Sequence, residues 1–426
     1  MLQNVSDMSI SNICLIVKCF LEYYFLPCEG FYGIINCILY FETLNQSICY
    51  RWNRNKFMGD ENLKKKKKKT RVSGRKVLLI FLVVISAVAG FAVAKVESTM
   101  KYTLNQVKRN EDSLLSDVDL SGIKVASDKE VVNILLIGDD YRKQKNYTAD
   151  GLTDVMMIAT MDKKHNTLKL TSLMRDTLVE VTEVNELKKL NSAKSVGGVQ
   201  NLYKTIATNF NIKLDGYVMI GFDAFEKMVN AVGGVKIEIT DTEARYLNCT
   251  NYIRKKKNRN LTVGKQKLNG DQALAYCRIR KGRDKIGEPV VTANGLIDDY
   301  GRTWRQRTVI NAVFQKMKTL PLNKWVEVAN KVLSSVETDL DNDAILSYIK
   351  DMVMMGTTDI HQLQIPKNGY FRNSLSGEFS AGDCLVATNG IDSTYDITTN
   401  AEILKQFVFD YDGEGEFTYP AKQTTE

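Results

Sequence analysis

Hydrophobic positions along this chain follow three rhythms, and each predicts a different kind of element. The first is an unbroken run at 77–94 (VLLIFLVVISAVAGFAVA), 18 residues without a charge. As a helix it is about 27 Å long at ~1.5 Å per residue, close to the ~30 Å hydrocarbon core of a bilayer, so it predicts a transmembrane anchor. The second rhythm is short apolar runs at 131–137 (VVNILLI), 154–161 (DVMMIATM) and 168–174 (LKLTSLM), with turn residues between them. Such runs predict strands buried on both faces. The third is a stripe of Val199, Leu202, Tyr203, Ile206, Ala207 and Phe210 at helical spacing, one face of a helix.

The alternation continues. A strand is expected at 216–222, a helix at 224–232 stopped by Gly233-Gly234, and an alternating strand at 235–240. Helices follow at 269–275, 302–317, 323–336 and 343–354, the last two opened by an Asn or Asp cap. Mixed helix and strand signals of this kind predict an α/β class: one domain with a central mixed β-sheet covered by helices on both faces.

Charge sets the topology. Lys64 to Lys69, Arg71, Arg75 and Lys76 precede the apolar run, whereas Lys95, Glu97 and Lys101 follow it. The positive-inside rule puts the Lys run in the cytoplasm and the rest of the chain outside the cell membrane, a single-pass arrangement. The expected organisation is a cytoplasmic basic segment at 58–76, the anchor at 77–94, a stalk at 95–129, the main domain at 130–355, and a C-terminal extension at 356–426 packing on it. Residues 1–57 read as sequence upstream of a natural start at Met58.

Composition removes several alternatives. The chain has 58 Lys+Arg and 50 Asp+Glu; residues 1–94 hold 13 against 6, which leaves 45 against 44 in the remaining 332. That near-neutral balance argues against a nucleic-acid partner. Five of the eight Cys lie in the first 49 residues, no CxxC pair occurs, and the two histidines, His165 and His361, sit in no zinc or nucleophile motif. Zinc hydrolysis and a Ser-His-Asp triad therefore have no sequence support.

Charged residues at the ends of buried strands are the candidate chemistry, because ligands of α/β sheets bind beyond the carboxyl ends of strands. Asp139 and Asp140 follow the first strand, Asp154 opens the second, and Arg175 and Asp176 follow the third. Carboxylates with an arginine suit a hard divalent cation and phosphate oxygens. Turn caps and a surface ion pair are the plainer explanation, and position alone leaves both open. Arg278 and Arg280 alternate, so in an extended segment they point to one side, while Arg302 and Gln306 share a helix face. The basic loop at 254–259 reads as solvated.

At these residues the chain resembles the LytR-CpsA-Psr family of cell-envelope proteins. The resemblance is carried by VNILLIGDD, LTSLMRDT, KKLNSA with Gly197-Gly198, GYVMIGFDAFEKMVNAVGGV, LNGDQALAYCRIR and DYGRTWRQR. It implies the family fold and a phosphotransferase that moves a glycopolymer, such as teichoic acid or capsular polysaccharide, from undecaprenyl pyrophosphate to peptidoglycan. It implies Asp140 and Asp154 as ligands of Mg²⁺, with Mn²⁺ as an alternative, and a catalytic set of Asp140, Asp154 and Arg175. Arg175, Arg278, Arg280, Arg302 and Gln306 would hold the pyrophosphate, with Lys189 near them. Two departures stand out: Leu152 replaces a frequent arginine, and an 18-residue insert separates Arg280 from Asp299. A pyrophosphatase releasing lipid phosphate to water, and a non-enzymatic envelope regulator, are the alternatives.

Overall fold

Strand register follows directly from the apolar runs. The computed structural model describes residues 95, 98–109, 114–139, 153–357 and 359–419. The anchor at 77–94, residues 1–57, the Lys run, Leu152 and Asp140 lie outside them. Among the described residues no helix is long and apolar enough to cross a membrane.

From Met100 onward one unit forms. Its strands are β1 (Lys108–Arg109), β2 (Val131–Asp139), β3 (Thr153–Asp162), β4 (Thr167–Leu173), β5 (Leu178–Val181), β6 (Glu186–Lys189), β7 (Gly216–Gly221), β8 (Val235–Ile239), β9 (Gly264–Leu268), β10 (Val336–Thr338), β11 (Ile360–Ile365), β12 (Phe371–Asn373) and β13 (Leu385–Ala387). The main sheet has the order β1-β10-β7-β2-β3-β4-β11. It is mixed: β2 runs antiparallel to β3 and β3 to β4, while β2 and β7 are parallel, as are β4 and β11.

Period-two alternation divides each central strand between two cores. On β2, Val131, Leu135 and Ile137 enter one cluster, together with Met156 and Ile158 of β3 and Leu202, Ile206 and Phe210 of α1 (Ser192–Phe210). Val132 and Ile134, with Met161, face the other way and meet Phe314, Tyr348 and Met352. Those three belong to α5 (Asp298–Lys318) and α7 (Asn342–Met355). Helices therefore cover both faces, as the sequence predicts. The stripe of α1 is core, with Leu202, Ile206 and Phe210 fully buried.

The remaining helices are α2 (Phe222–Ala231), α3 (Asp241–Cys249), α4 (Gly270–Arg278), α6 (Leu322–Val332) and α8 (Thr398–Lys405). Gly233 and Gly234 end α2 with φ of 85° each, a region open to glycine. The α7 cap is Asp341, whose side chain accepts from Ala344 N at 2.6 Å, and α6 begins after Pro321 without a side-chain cap. The expected caps at Asn323 and Asp343 were thus each about two residues late.

Two boundaries expected from sequence fall inside this unit. Leu115, in the stretch read as a stalk, packs into the main core, and β1 joins the sheet beside β10. Residues beyond 355, read as an extension, supply the edge strand β11 and the buried Phe407.

Candidate functional site

Antiparallel pairing folds the end of β2 and the start of β3 onto one edge of the sheet, where the parallel strands β4, β7 and β11 also end. Met157 pairs with Ser172; continuing that register three residues sets Asp154 opposite Arg175. A salt bridge joins them, from Arg175 Nη1 to Asp154 Oδ1. The expected convergence of an arginine with a strand-end carboxylate is therefore present.

The network extends beyond this pair. Arg175 Nε lies 3.5 Å from Asp176 Oδ2, and Arg280 Nη2 donates to the same oxygen at 2.8 Å. Arg280 Nε stands 3.0 Å from Asp299 Oδ1, and Arg302 Nη2 lies 2.8 Å from that atom and donates to Asp299 Oδ2 at 3.0 Å. Three arginines and three aspartates thus form one chain of charge at the strand ends.

Arg302 is buried, and burial pulls its guanidinium below the ordinary value; Asp299 opposes this, while Arg175 and Arg280 add like-charge repulsion. Arg175 goes the other way: burial lowers it, but Asp176, Asp154 and Asp299 together raise it. Arg302 thus feels aspartates and arginines together with strong burial, whereas the charges that shift Arg175 are aspartates.

The array is incompletely hydrogen-bonded. The buried Nε atoms of Arg175 and Arg280 and Oδ1 of Asp299 make ion contacts without an aligned hydrogen bond, and the buried Nε of Arg302 has no hydrogen-bond partner. Buried polar atoms are ordinarily paired, so guanidinium donors without aligned partners gathered in one place suit an anion with several acceptor oxygens, as a phosphate has.

The other expected residues are placed differently. Arg278 ends α4, and the chain turns at Ile279, so Arg278 and Arg280 do not point to one side as an extended segment requires. Arg278 lies instead over the rings of Phe222 and Tyr252, at 5.0 and 5.8 Å from their centroids. Phe222 directly follows β7, so Arg278 remains at the same sheet edge. Gln306 donates to Cys277 O at 3.4 Å and ties α5 to the end of α4. Lys189 sits in β6 opposite Leu178. The insert folds back on itself, with Arg283 bridging to Pro289 and its flanking residues meeting in the Arg280–Asp299 contact, and it is pinned to α3 by Arg245, which donates to Asp284 Oδ2 at 2.8 Å.

Sequence reasoning missed three participants. Asp176 was named among the strand-end carboxylates but not as a partner of Arg280, and Asp299 was given no role. Lys194 is buried and reaches Asp139 Oδ2 at 3.2 Å. Its signal was a lone lysine among small residues ahead of Gly197-Gly198. Among the described residues no group of three or more His, Cys, Asp or Glu gathers to hold a metal ion; Asp140 is not one of them.

Residues 90–385 match the model of the LytR_cpsA_psr family. The chain is 29% identical over 302 residues to the polyisoprenyl-teichoic acid–peptidoglycan teichoic acid transferase TagU of Bacillus mycoides, spanning 70% of this chain and 89% of that protein. It is 30% identical over 280 residues to TagU of Bacillus anthracis, spanning 65% and 80%. A solved structure, protein gbs0355 from Streptococcus agalactiae, shares the fold at 22% identity with a TM-score of 0.50, over 63% of this chain and 90% of that one. On the family match over most of its length, the chain belongs to the LytR-CpsA-Psr family.

Proposed function

We propose that the chain is a transferase that moves a glycopolymer of the teichoic acid or capsular type from a polyprenyl pyrophosphate carrier to peptidoglycan. The observation that carries this reading is the array of Arg175, Arg280 and Arg302, whose buried Nε donors lack aligned partners at the strand ends. Transferase names among the relatives support the reaction class. The run at 77–94, behind its Lys segment, is proposed as the anchor that holds the domain at the outer membrane surface, where such a lipid carrier would be met.

In this reaction an acceptor hydroxyl gives up its proton to solvent and forms a bond to the glycan-linked phosphorus, the pyrophosphate P–O bond breaks, and polyprenyl phosphate leaves with the bridging oxygen. Phosphoryl transfer asks the protein for position and charge. Arg175, Arg280 and Arg302 orient the two phosphates and absorb charge that moves to the leaving group. Arg278, held over two aromatic rings, adds a fourth cation at the same edge.

A divalent cation, magnesium before manganese, is proposed at Asp154 with Asp140. The described donors fit it. Asp154 commits one oxygen to Arg175, and Asp139 Oδ1 is buried without a partner. Charge balance favours the same conclusion: three arginines already face three aspartates, so Arg278 alone is left against the two negative charges of a diphosphate diester. When bound, the ion supplies that missing positive charge.

The test is a transfer assay with lipid-linked polymer and peptidoglycan oligomer, with and without Mg²⁺. The expected product is polymer bonded to peptidoglycan, with lipid phosphate released in step. Lipid phosphate release without coupling to the acceptor contradicts the transferase reading and identifies a hydrolase. Binding without turnover contradicts it in favour of a regulator.

A further inference from the structure

The pair formed by Asp139 and Lys194 enters the roles above only through one unpartnered oxygen of Asp139, and Lys194 has no part in them. Asp139 is the last residue of β2, 5% exposed, and a register shift against β3 falls between Gly138 and Asp139. Such irregularities at a strand end re-aim a side chain. Lys194 is 3% exposed, and its Nζ lies 3.2 Å from Asp139 Oδ2. The other carboxylate oxygen, Oδ1, is buried without any hydrogen-bond partner.

The turn that carries Lys194 is built for this contact. Helix α1 is broken after it, at Gly197 (φ −151°, ψ 32°) and Gly198 (φ 71°, ψ −166°). The Gly198 conformation is one that residues with a side chain rarely adopt. Asn201 donates to Ala193 O at 2.8 Å across the break, and Thr182 donates to Asn201 Oδ1 at 2.8 Å. Asn191 N donates to Arg175 O at 3.1 Å, so the Lys194 turn is fastened to the arginine array itself. In register, Asp139 pairs with Thr153, which adjoins Asp154.

A buried lysine that meets only one oxygen of a buried carboxylate leaves the second oxygen as an acceptor awaiting a donor. We propose that Asp139 is a further binding residue of the transfer site, taking an O–H donor on Oδ1, and that Lys194 is the positioning residue that holds it there. The donor is either a water carried by the divalent cation or the acceptor hydroxyl. This inference rests on the proposed function and adds a carboxylate to it.

Two arms separate the sources. In the first, the full chain is titrated with geranyl pyrophosphate by calorimetry, with and without Mg²⁺. In the second, transfer rate is followed against peptidoglycan oligomer concentration. The variants are Asp139→Asn, Lys194→Met and Lys194→Arg, with melting temperature measured on each. If the donor is cation-bound water, Asp139→Asn and Lys194→Met lose about tenfold of the Mg²⁺-dependent affinity while metal-free affinity stays within about twofold, and Lys194→Arg restores most of it. If the donor is the acceptor hydroxyl, affinity is unchanged in the first arm, and in the second the oligomer KM rises about tenfold with the lipid KM fixed. Wild-type behaviour of Asp139→Asn and Lys194→Met in both arms overturns the proposal. A uniform loss that tracks melting temperature also overturns it, since a merely structural pair gives that result. A wild-type chain that binds but does not transfer defeats the functional reading, and the first arm then still decides the role of Asp139.

Discussion

The two edges of the central sheet both bury charge, and they do so in opposite ways. At the edge where β3 ends and β4 begins, Asp162 and Lys169 are completely buried and completely paired. Lys169 Nζ donates to Asp162 Oδ2 at 2.8 Å and to Val408 O at 2.9 Å, and the other Asp162 oxygen accepts from His165 N at 3.0 Å. At the other edge, Arg175, Arg280, Arg302, Asp139 and Asp299 each keep a buried atom without an aligned partner. At the first edge the charges are closed off and serve the fold, tying β4 to the C-terminal segment, and the buried atom without a partner beside them is the neutral hydroxyl oxygen of Thr167. The other is left open, which is what a site for an incoming anion requires.

The largest expected effect lies at the closed edge. Asp162→Ala leaves the Lys169 ammonium buried and unpaired, and a loss of about 3–5 kcal/mol in stability is expected. Denaturant unfolding measures it, and the transfer rate per folded molecule stays near wild type. Comparable in energy but opposite in kind is Arg302→Ala at the open edge. Transfer falls by about 10²- to 10³-fold, the range for losing one charge-stabilising contact, while the melting temperature changes little. A stability loss at Arg302 as large as that at Asp162, with activity per folded molecule intact, erases the distinction between the edges.

Acid sharpens the comparison. Burial raises the Asp162 carboxyl, but hydrogen bonds from Lys169 and His165 outweigh it and hold the group below the ordinary carboxylate value. A carboxyl depressed in the folded state contributes stability that is complete above its unfolded pKa, near 4, and is lost as pH falls through the folded value. Melting temperature followed from pH 5 downward therefore drops less in Asp162→Asn than in wild type. The smallest effect is expected at the α7 cap. Asp341→Ala costs about 0.5–2 kcal/mol, from the lost bond to Ala344 N, with no change in transfer rate.

Much of this arrangement was legible in the chain. The apolar runs at 131–137, 154–161 and 168–174 became β2, β3 and β4, because continuous burial on two faces leaves a strong local signal. Arg175 and Asp154 were readable because strand ends are where such a sheet places ligands. Strand β8 was readable from its alternation at 235–240, but β6 and its counterpart β9 were not: ELKK and GKQKL carry Lys, Glu and Gln in place of an apolar run. The relation of Arg278 to Arg280 was misread because α4 runs through Arg278, and its length is set by a cap at Asn269 and by packing under α5. Asp176, Asp299 and Lys194 gain meaning only from partners 104, 19 and 55 positions away in sequence, as Arg280 and Asp139 show. No local pattern reports such contacts.

The central claim, that the open edge receives a diphosphate, is tested most directly by a crystal structure of the chain with a short polyprenyl pyrophosphate and Mg²⁺. The account predicts phosphate oxygens within hydrogen-bond distance of Arg175, Arg280 and Arg302, with the Arg175–Asp154 contact opened. A pyrophosphate bound elsewhere, with all three arginines still resting on Asp154, Asp176 and Asp299, contradicts it.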